Sequence, residues 1–142
     1  MVVERTFFMI KPEVASDKKA VEEIKRMVAD AGFRIIAEKT TTMKKEVAEK
    51  HYAVHKGKPF YEELIEYITS GPVVMFVLEK ENAIADLRKL VGATDPRKAE
   101  PNTIRNIFGT DVGHNAVHAS DGPETAEFEI KLHFPKVSPK VE

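Results

Sequence analysis

Thr6-Phe7-Phe8-Met9-Ile10-Lys11-Pro12 is the stretch whose reading decides the fold. It is short, continuous, and built from aromatic and branched side chains, the signature of a strand buried on both faces. Pro12 cannot donate to a central ladder, so the strand ends there. Phe7 and Phe8 point to opposite faces by the two-residue period of a strand, and both are predicted to be core. A second run of this kind, Val73-Val74-Met75-Phe76-Val77-Leu78, follows the turn Ser70-Gly71-Pro72 and is predicted to be the second central strand.

Working outward, Ser16 and Asp17 offer N-cap side chains for a helix in which Val21, Ile24, Met27 and Val28 recur at helical spacing. Gly32 closes that helix, and Phe33 to Met43, rich in Ile and Thr, is a further extended segment. Two helical stretches follow, at 45–55 and from Phe60 to Ile68. Asn82 can cap a helix that buries Ala83, Ile84, Leu87, Leu90 and Val91, and the polar stretch from Gly92 to Asn102 is a loop. Glu129 to Phe134 alternates polar and apolar residues and reads as the last strand. Leaving out the inserted helical pair, the order is strand, helix, strand, strand, helix, strand. That is the split βαβ, or ferredoxin-like, α+β pattern: a four-stranded antiparallel sheet with helices on one face, plus added helices. No repeat, low-complexity tract or linker divides the chain, so residues 1–142 are read as one domain.

Composition narrows the function. At 142 residues a chain buries roughly two-thirds of the surface that it exposes unfolded, enough for a core without staples. There is no cysteine, which excludes disulfides, thiol nucleophiles and zinc-thiolate sites. No apolar run approaches the roughly 20 residues of a bilayer span, and Glu4 and Arg5 precede the first apolar stretch, so neither an anchor nor a signal peptide is expected. The reading is a soluble, cytoplasmic protein. With 22 Lys plus Arg against 23 Asp plus Glu, the whole-molecule field does not draw in a polyanion. Affinity for phosphates must come from local clusters of cations. Neither G-x-G-x-x-G nor G-x-x-x-x-G-K-S/T occurs, so phosphates would be held by side chains rather than by a glycine cradle. Two histidine pairs stand four apart, His51 with His55 and His114 with His118. Neither forms H-E-x-x-H and no third ligand stands at a recognisable spacing, so the first pair reads as a hydrogen-bonded helix face and no metal site is assigned.

The remaining motifs run the length of the chain. They are Glu4-Arg5-Thr6-Phe7 with Ile10-Lys11-Pro12; His51-Tyr52 with Lys58-Pro59-Phe60; Ser70-Gly71-Pro72-Val73-Val74; Gly92-Ala93-Thr94; Pro101 with Thr103-Ile104-Arg105; and Asn115 to Asp121. In this order and spacing, from residue 4 to about 134, the sequence closely resembles the nucleoside diphosphate kinases. The resemblance implies ping-pong exchange of the γ-phosphoryl group between nucleoside triphosphates and diphosphates through a phosphohistidine. By position in the Asn-x-x-His-x-Ser motif, His118 would be the nucleophile. An ordinary imidazole is mostly neutral at pH 7 and carries a free lone pair. It needs a partner to set its tautomer, and Glu129, matching the family's glutamate, would accept from Nε2 and leave Nδ1 to attack. Ser120 would buttress that glutamate or the incoming phosphate. Lys11, Arg88 and Arg105 match phosphate-contacting cations, with Tyr52 and Thr94 as hydroxyl donors. Asn115 would bind the ribose hydroxyl. Phe60 and Val112 would sandwich the base by stacking, which reads no donor–acceptor pattern and so implies broad base and sugar tolerance. Mg²⁺ would arrive with the nucleotide, with no dedicated protein cage.

The sequence departs from that family's pattern at several places. Lys11-Pro12-Glu13-Val14 stands for a usual Lys-Pro-Asp-Gly, and Asn102, Ala119 and Gly122 stand where glycine, glycine and serine are common. His114 replaces a usual arginine and His133 a frequent tryptophan. None removes a proposed catalytic group. The alternative on the same fold is a catalytically silent nucleotide- or nucleic-acid-binding regulatory module, with these substitutions as its mark. Assembly into a homo-oligomer, tetramer or hexamer, is implied, with the loop around Pro96 and Pro101 as a contact. Partners are nucleotides, with no membrane and no nucleic acid. A long carboxy-terminal extension is not expected after Phe134.

Overall fold

A computed structural model describes residues 2–141. The strand quoted above is β1, Val3–Ile10, and every residue from Thr6 to Ile10 is buried. It pairs antiparallel with β3, Pro72–Glu81, and with β4, Val117–Ala119; β2, Arg34–Thr42, pairs antiparallel with β3. The sheet order is therefore β2-β3-β1-β4, with the two apolar runs at its centre. Hydrophobic burial puts them there, since only central strands can lose water on both faces.

The alternation of β1 divides the core in two. Phe8 and Ile10 face one layer with Ile24 and Val28 of α2 (Lys18–Asp30) and Leu87 and Val91 of α5 (Ala83–Val91). Phe7 and Met9 face the other, with Ala48 of α3 (Lys45–His51), Ile65 and Ile68 of α4 (Tyr61–Ile68) and Ile130 of α7 (Pro123–His133). Helices thus cover both faces: the added ones bury the side that a split βαβ unit alone leaves open. The short helices α1 (Pro12–Ala15) and α6 (Ile104–Phe108) and single 3₁₀ turns at Ala53–His55 and Pro96–Lys98 complete the order. No helix among the described residues is long and apolar enough to cross a membrane.

Several local readings hold. Asp17 caps α2, accepting from the N–H groups of Lys19 and Ala20 at 3.1 and 3.2 Å, and Gly32 follows that helix at φ +96°. Asn102, at a place where glycine is common in the resembling family, adopts φ +70°, a conformation that asparagine tolerates better than most side chains.

Three readings are corrected. The predicted helix at 45–55 breaks after His51 into a 3₁₀ turn. Asn82 sits at the N-cap of α5, but in the left-handed region with no capping bond; Glu4 Oε1 accepts from the Ile84 N–H instead, at 3.1 Å. Residues 129–134 are not a strand: all but Phe134 lie in α7, and the fourth strand is the three-residue β4. Pro123 at the first turn starts α7, and its buried residues Ala126, Glu129, Ile130 and His133 recur at three, four and seven positions, a helical stripe. Two of those four are polar, which hides the period.

Candidate active site

Strand β4 organises the site. Its central residue His118 lies opposite Met9 of β1, which places its side chain on the α7 side of the sheet, while Val117 and Ala119 pack into the other layer. There His118 Nε2 lies 3.0 Å from Glu129 Oε1 and 2.9 Å from Oε2. Ser120, fully buried, donates its hydroxyl to Glu129 Oε1 at 2.5 Å. Glu129 itself is 3% exposed. A carboxylate so placed only accepts, so the Nε2 of His118 is the donor and Nδ1 is left with its lone pair. Of the two roles open to Ser120, the bond to the glutamate is the one present.

The three expected cations gather around the same strand. Arg88 donates to the Ala119 carbonyl at 3.2 Å, and Arg105 donates to the Val117 carbonyl at 3.0 Å and to that of Gly92 at 3.2 Å. The carbonyls on either side of His118 thus each orient one guanidinium. Lys11 follows Ile10, the residue opposite Val117, and its ammonium donates to Asn115 Oδ1 at 2.9 Å. Lys11 and Arg105 are 8% and 5% exposed, and every partner named here is neutral. Burial, with Arg105 adding, pushes Lys11 down to about 8; burial, with Arg88 adding, pushes Arg105 down to about 10. Arg105 Nε is buried with no partner among the described residues.

Asn115 also donates from Nδ2 to the Thr94 carbonyl at 3.1 Å, so both ends of its amide are engaged within the protein. Ala116 beside it takes φ +75°, a strained conformation for a residue with a Cβ. Thr94 is exposed. The Tyr52 hydroxyl is buried without a partner among the described residues, and burial pushes it well above the ordinary phenol range, so it is a donor throughout neutral pH.

His118, Glu129, Tyr52 and Arg88 line a cavity of about 550 Å³, together with Asp121, Glu124 and Phe128. Arg88 also lines a neighbouring one of about 610 Å³ with Thr94. Phe60 and Val112 line neither; they are exposed at 43% and 53%.

Two histidines join the site that sequence reasoning leaves outside it. His51 Nδ1 lies 2.9 Å from His133 Nε2, and His51 Nε2 lies 3.9 Å from Glu129 Oε2. Donor atoms of His51, His118 and Glu129 fall within 4.8 Å of one another, a His-His-Glu set of the kind that binds transition metals. Residues 51, 118 and 129 share no short spacing, so the only sequence signal was a histidine beside Tyr52 on a buried helix face.

Comparison with known proteins agrees with this geometry. A family model described as nucleoside diphosphate kinase matches residues 4–138. A curated nucleoside diphosphate kinase from Bartonella tribocorum is 50% identical over 137 residues, 96% of this chain and 97% of that protein. The solved structure of the Aquifex aeolicus nucleoside diphosphate kinase superposes with a TM-score of 0.89 at 45% identity, covering 98% of this chain and 99% of that one. That of a halophilic nucleoside diphosphate kinase from Halobacterium salinarum, in complex with CDP, gives 0.88 at 38% identity over 98% and 91%. Matched along nearly its whole length by family model, sequence and fold alike, the chain belongs to the nucleoside diphosphate kinase family.

Proposed function

We propose that this chain moves the terminal phosphoryl group of a nucleoside triphosphate onto a nucleoside diphosphate in two half-reactions that share a phosphohistidine at His118. The observation that carries the reading is the engagement of His118 Nε2 by both oxygens of the buried Glu129, on a ring that lines an open cavity. Nδ1 attacks the γ-phosphorus, the bond from that phosphorus to the bridging oxygen breaks, and the diphosphate leaves. The Nε2 proton stays on the ring and the new cation rests against the Glu129 carboxylate. In the second half-reaction a terminal oxygen of another diphosphate attacks the phosphorus and the electron pair returns to Nδ1.

Such a transfer is driven by positioning and charge neutralisation. Lys11, Arg88 and Arg105 supply the charge. Two of the three are buried with neutral hydrogen-bond partners, and the nearby Glu13 carboxylate only partly offsets the burial of Lys11, so a bound phosphate would supply the missing counter-charge. Tyr52 and Thr94 add hydroxyl donors. Asn115 steadies Lys11, and with one N–H given to Thr94 and one lone pair to Lys11 its amide keeps a second N–H and a second lone pair for a ribose hydroxyl. Phe60 and Val112 offer exposed apolar surface to a base, worth about 1–3 kcal/mol of stacking that does not discriminate between bases. A divalent cation enters as part of the nucleotide substrate. The carboxylates of Asp121 and Glu124, lining the cavity, are oxygen donors of the class that Mg²⁺ takes. The reading extends to a cytoplasmic homo-oligomer, tetrameric or hexameric. Exposed Ile35 and Ile36 on the edge strand β2 support the assembly.

Radiolabelled γ-phosphate ATP should leave an acid-labile, base-stable phosphoprotein, and His118→Ala should lose both the label and nucleotide exchange. Exchange at the normal rate in that variant would end the proposal. The silent-module alternative predicts calorimetric nucleotide binding with no exchange.

A further inference from the structure

His51 and His133 are buried, at 6% and 3% exposure, and the transfer described above uses neither. They come from different elements, the end of α3 and the end of α7, and meet at 2.9 Å through His51 Nδ1 and His133 Nε2. Only one of those nitrogens carries the shared proton. If it sat on His51 Nδ1, the other nitrogen of a neutral His51, itself buried, would turn a lone pair toward Glu129 Oε2, 3.9 Å away. Two electron-rich atoms buried face to face repel. With the proton on His133 Nε2, His51 instead presents an Nε2–H dipole to the carboxylate. Among the described residues that nitrogen has no other partner, which makes Glu129 its natural acceptor.

We propose that His133 and His51 form a tautomer relay that orients the Glu129 carboxylate from the side opposite Ser120, making both histidines positioning residues for His118. The proposal rests on the transfer reading above for its functional meaning. In it Glu129 meets three donors: Ser120 Oγ, His118 Nε2 and, across the 3.9 Å gap, His51 Nε2. A closure of about 1 Å turns the last into a full hydrogen bond. Such a shift becomes favourable when His118 is phosphorylated and the carboxylate must hold a cation in place.

The surroundings keep both rings neutral, as the relay requires. His51 packs against the rings of Phe7, Tyr52 and His118, with the Lys11 ammonium and the His55 ring as further neighbours. Burial, then His118, His133 and those two residues, hold it well below its ordinary value. His133 stacks on Phe7 with ring centroids 4.8 Å apart, and Lys39 donates to its carbonyl. Burial, then Lys39 and His118, push His133 down to about 3. A neutral imidazole has one N–H and one lone pair, so fixing the proton at one ring fixes it at the next.

The test has two arms. Protein carrying ¹⁵N-labelled histidine reports each tautomer by long-range proton–nitrogen correlation. The expected spectrum shows His51 and His133 both protonated at Nε2 only; protonation of His51 at Nδ1 overturns the proposal, and this arm needs no variant to fold. In the second arm, His133→Phe should form the phosphoenzyme about five- to tenfold more slowly at unchanged nucleotide KM, the value of about one net hydrogen bond. His133→Gln keeps an N–H donor and should recover to within about twofold. Equal rates for the two variants would reduce His133 to packing and refute the relay. Failure of the unaltered protein to form a phosphoenzyme would instead refute the role of His118, and leaves the tautomer measurement standing on its own.

Discussion

Lys11 offers a test in which stability and function pull in opposite directions. Its ammonium is buried against an amide oxygen and pushed from 10.5 down to about 8 by burial and by Arg105. A base whose folded-state value lies below its unfolded value opposes folding most at low pH. That penalty is complete below about 8 and gone above about 10.5. The displacement corresponds to about 3 kcal/mol at neutral pH, of which about 2 kcal/mol is relieved between about pH 7 and about pH 9.5. Replacing Lys11 by Met removes the titration while keeping most of the side-chain volume. The stability of the unaltered protein minus that of Lys11→Met, from urea denaturation without nucleotide, should therefore rise by about 2 kcal/mol over that range. Subtraction cancels every group that titrates alike in the two proteins. If phosphates are the missing counter-ion, ADP binding restores the charge, and calorimetry in buffers of different ionisation enthalpy at about pH 8.5 should show uptake of most of one proton, absent in Lys11→Met. A stability difference that does not change with pH, together with no proton uptake on binding, would refute the claim that Lys11 is held charged and unpaired for the nucleotide.

Three further outcomes follow from the geometry. Ser120→Ala removes the 2.5 Å donor to Glu129 Oε1 and should slow phosphoenzyme formation about tenfold while leaving nucleotide affinity in place, as single-turnover kinetics and calorimetry can separate. Gly92→Ala should destabilise by about 2–4 kcal/mol on thermal unfolding, because residue 92 sits at φ +92° and its Cβ would meet Thr103 Oγ1 at 2.6 Å; Arg105, which donates to the Gly92 carbonyl, should lose its setting with it. Phe60→Ala should raise KM for purine and pyrimidine nucleotides by similar factors, about tenfold, with kcat little changed, consistent with about 1–3 kcal/mol of stacking.

Much of the fold was legible because hydrophobic burial writes it directly. The two continuous apolar runs became the two central strands, and the alternation of Phe7 and Phe8 separated the two core layers. Asp17 marked the start of α2 through its own side-chain chemistry. The pairing of His118, Glu129 and Ser120 was legible only through the resemblance, since no local period links residues 118 and 129. Asn82 misled because a capping residue type says nothing about its backbone: the left-handed conformation turned its side chain away, and Glu4, distant in sequence, took over the amide.

The misreading of α7 has a different origin, one tied to function. A surface helix announces itself by turning apolar residues inward at helical spacing. In α7 the inward stripe includes Glu129 and His133, while Phe128 stands 49% exposed on the cavity wall. The stripe is polar where the site needs a carboxylate and an imidazole, and apolar where the cavity needs a wall, so the helical period is cancelled and a two-residue alternation is what remains to be read. The same holds for α3, whose buried face ends in His51. Helices that deliver polar groups to an enclosed site must break the pattern by which helices are recognised. Buried glutamate and histidine cost free energy unless each finds a partner, and here the partners are one another, across α3, β4 and α7. A stretch where amphipathic reading fails is therefore itself a pointer to the site, and in this chain it points to Glu129.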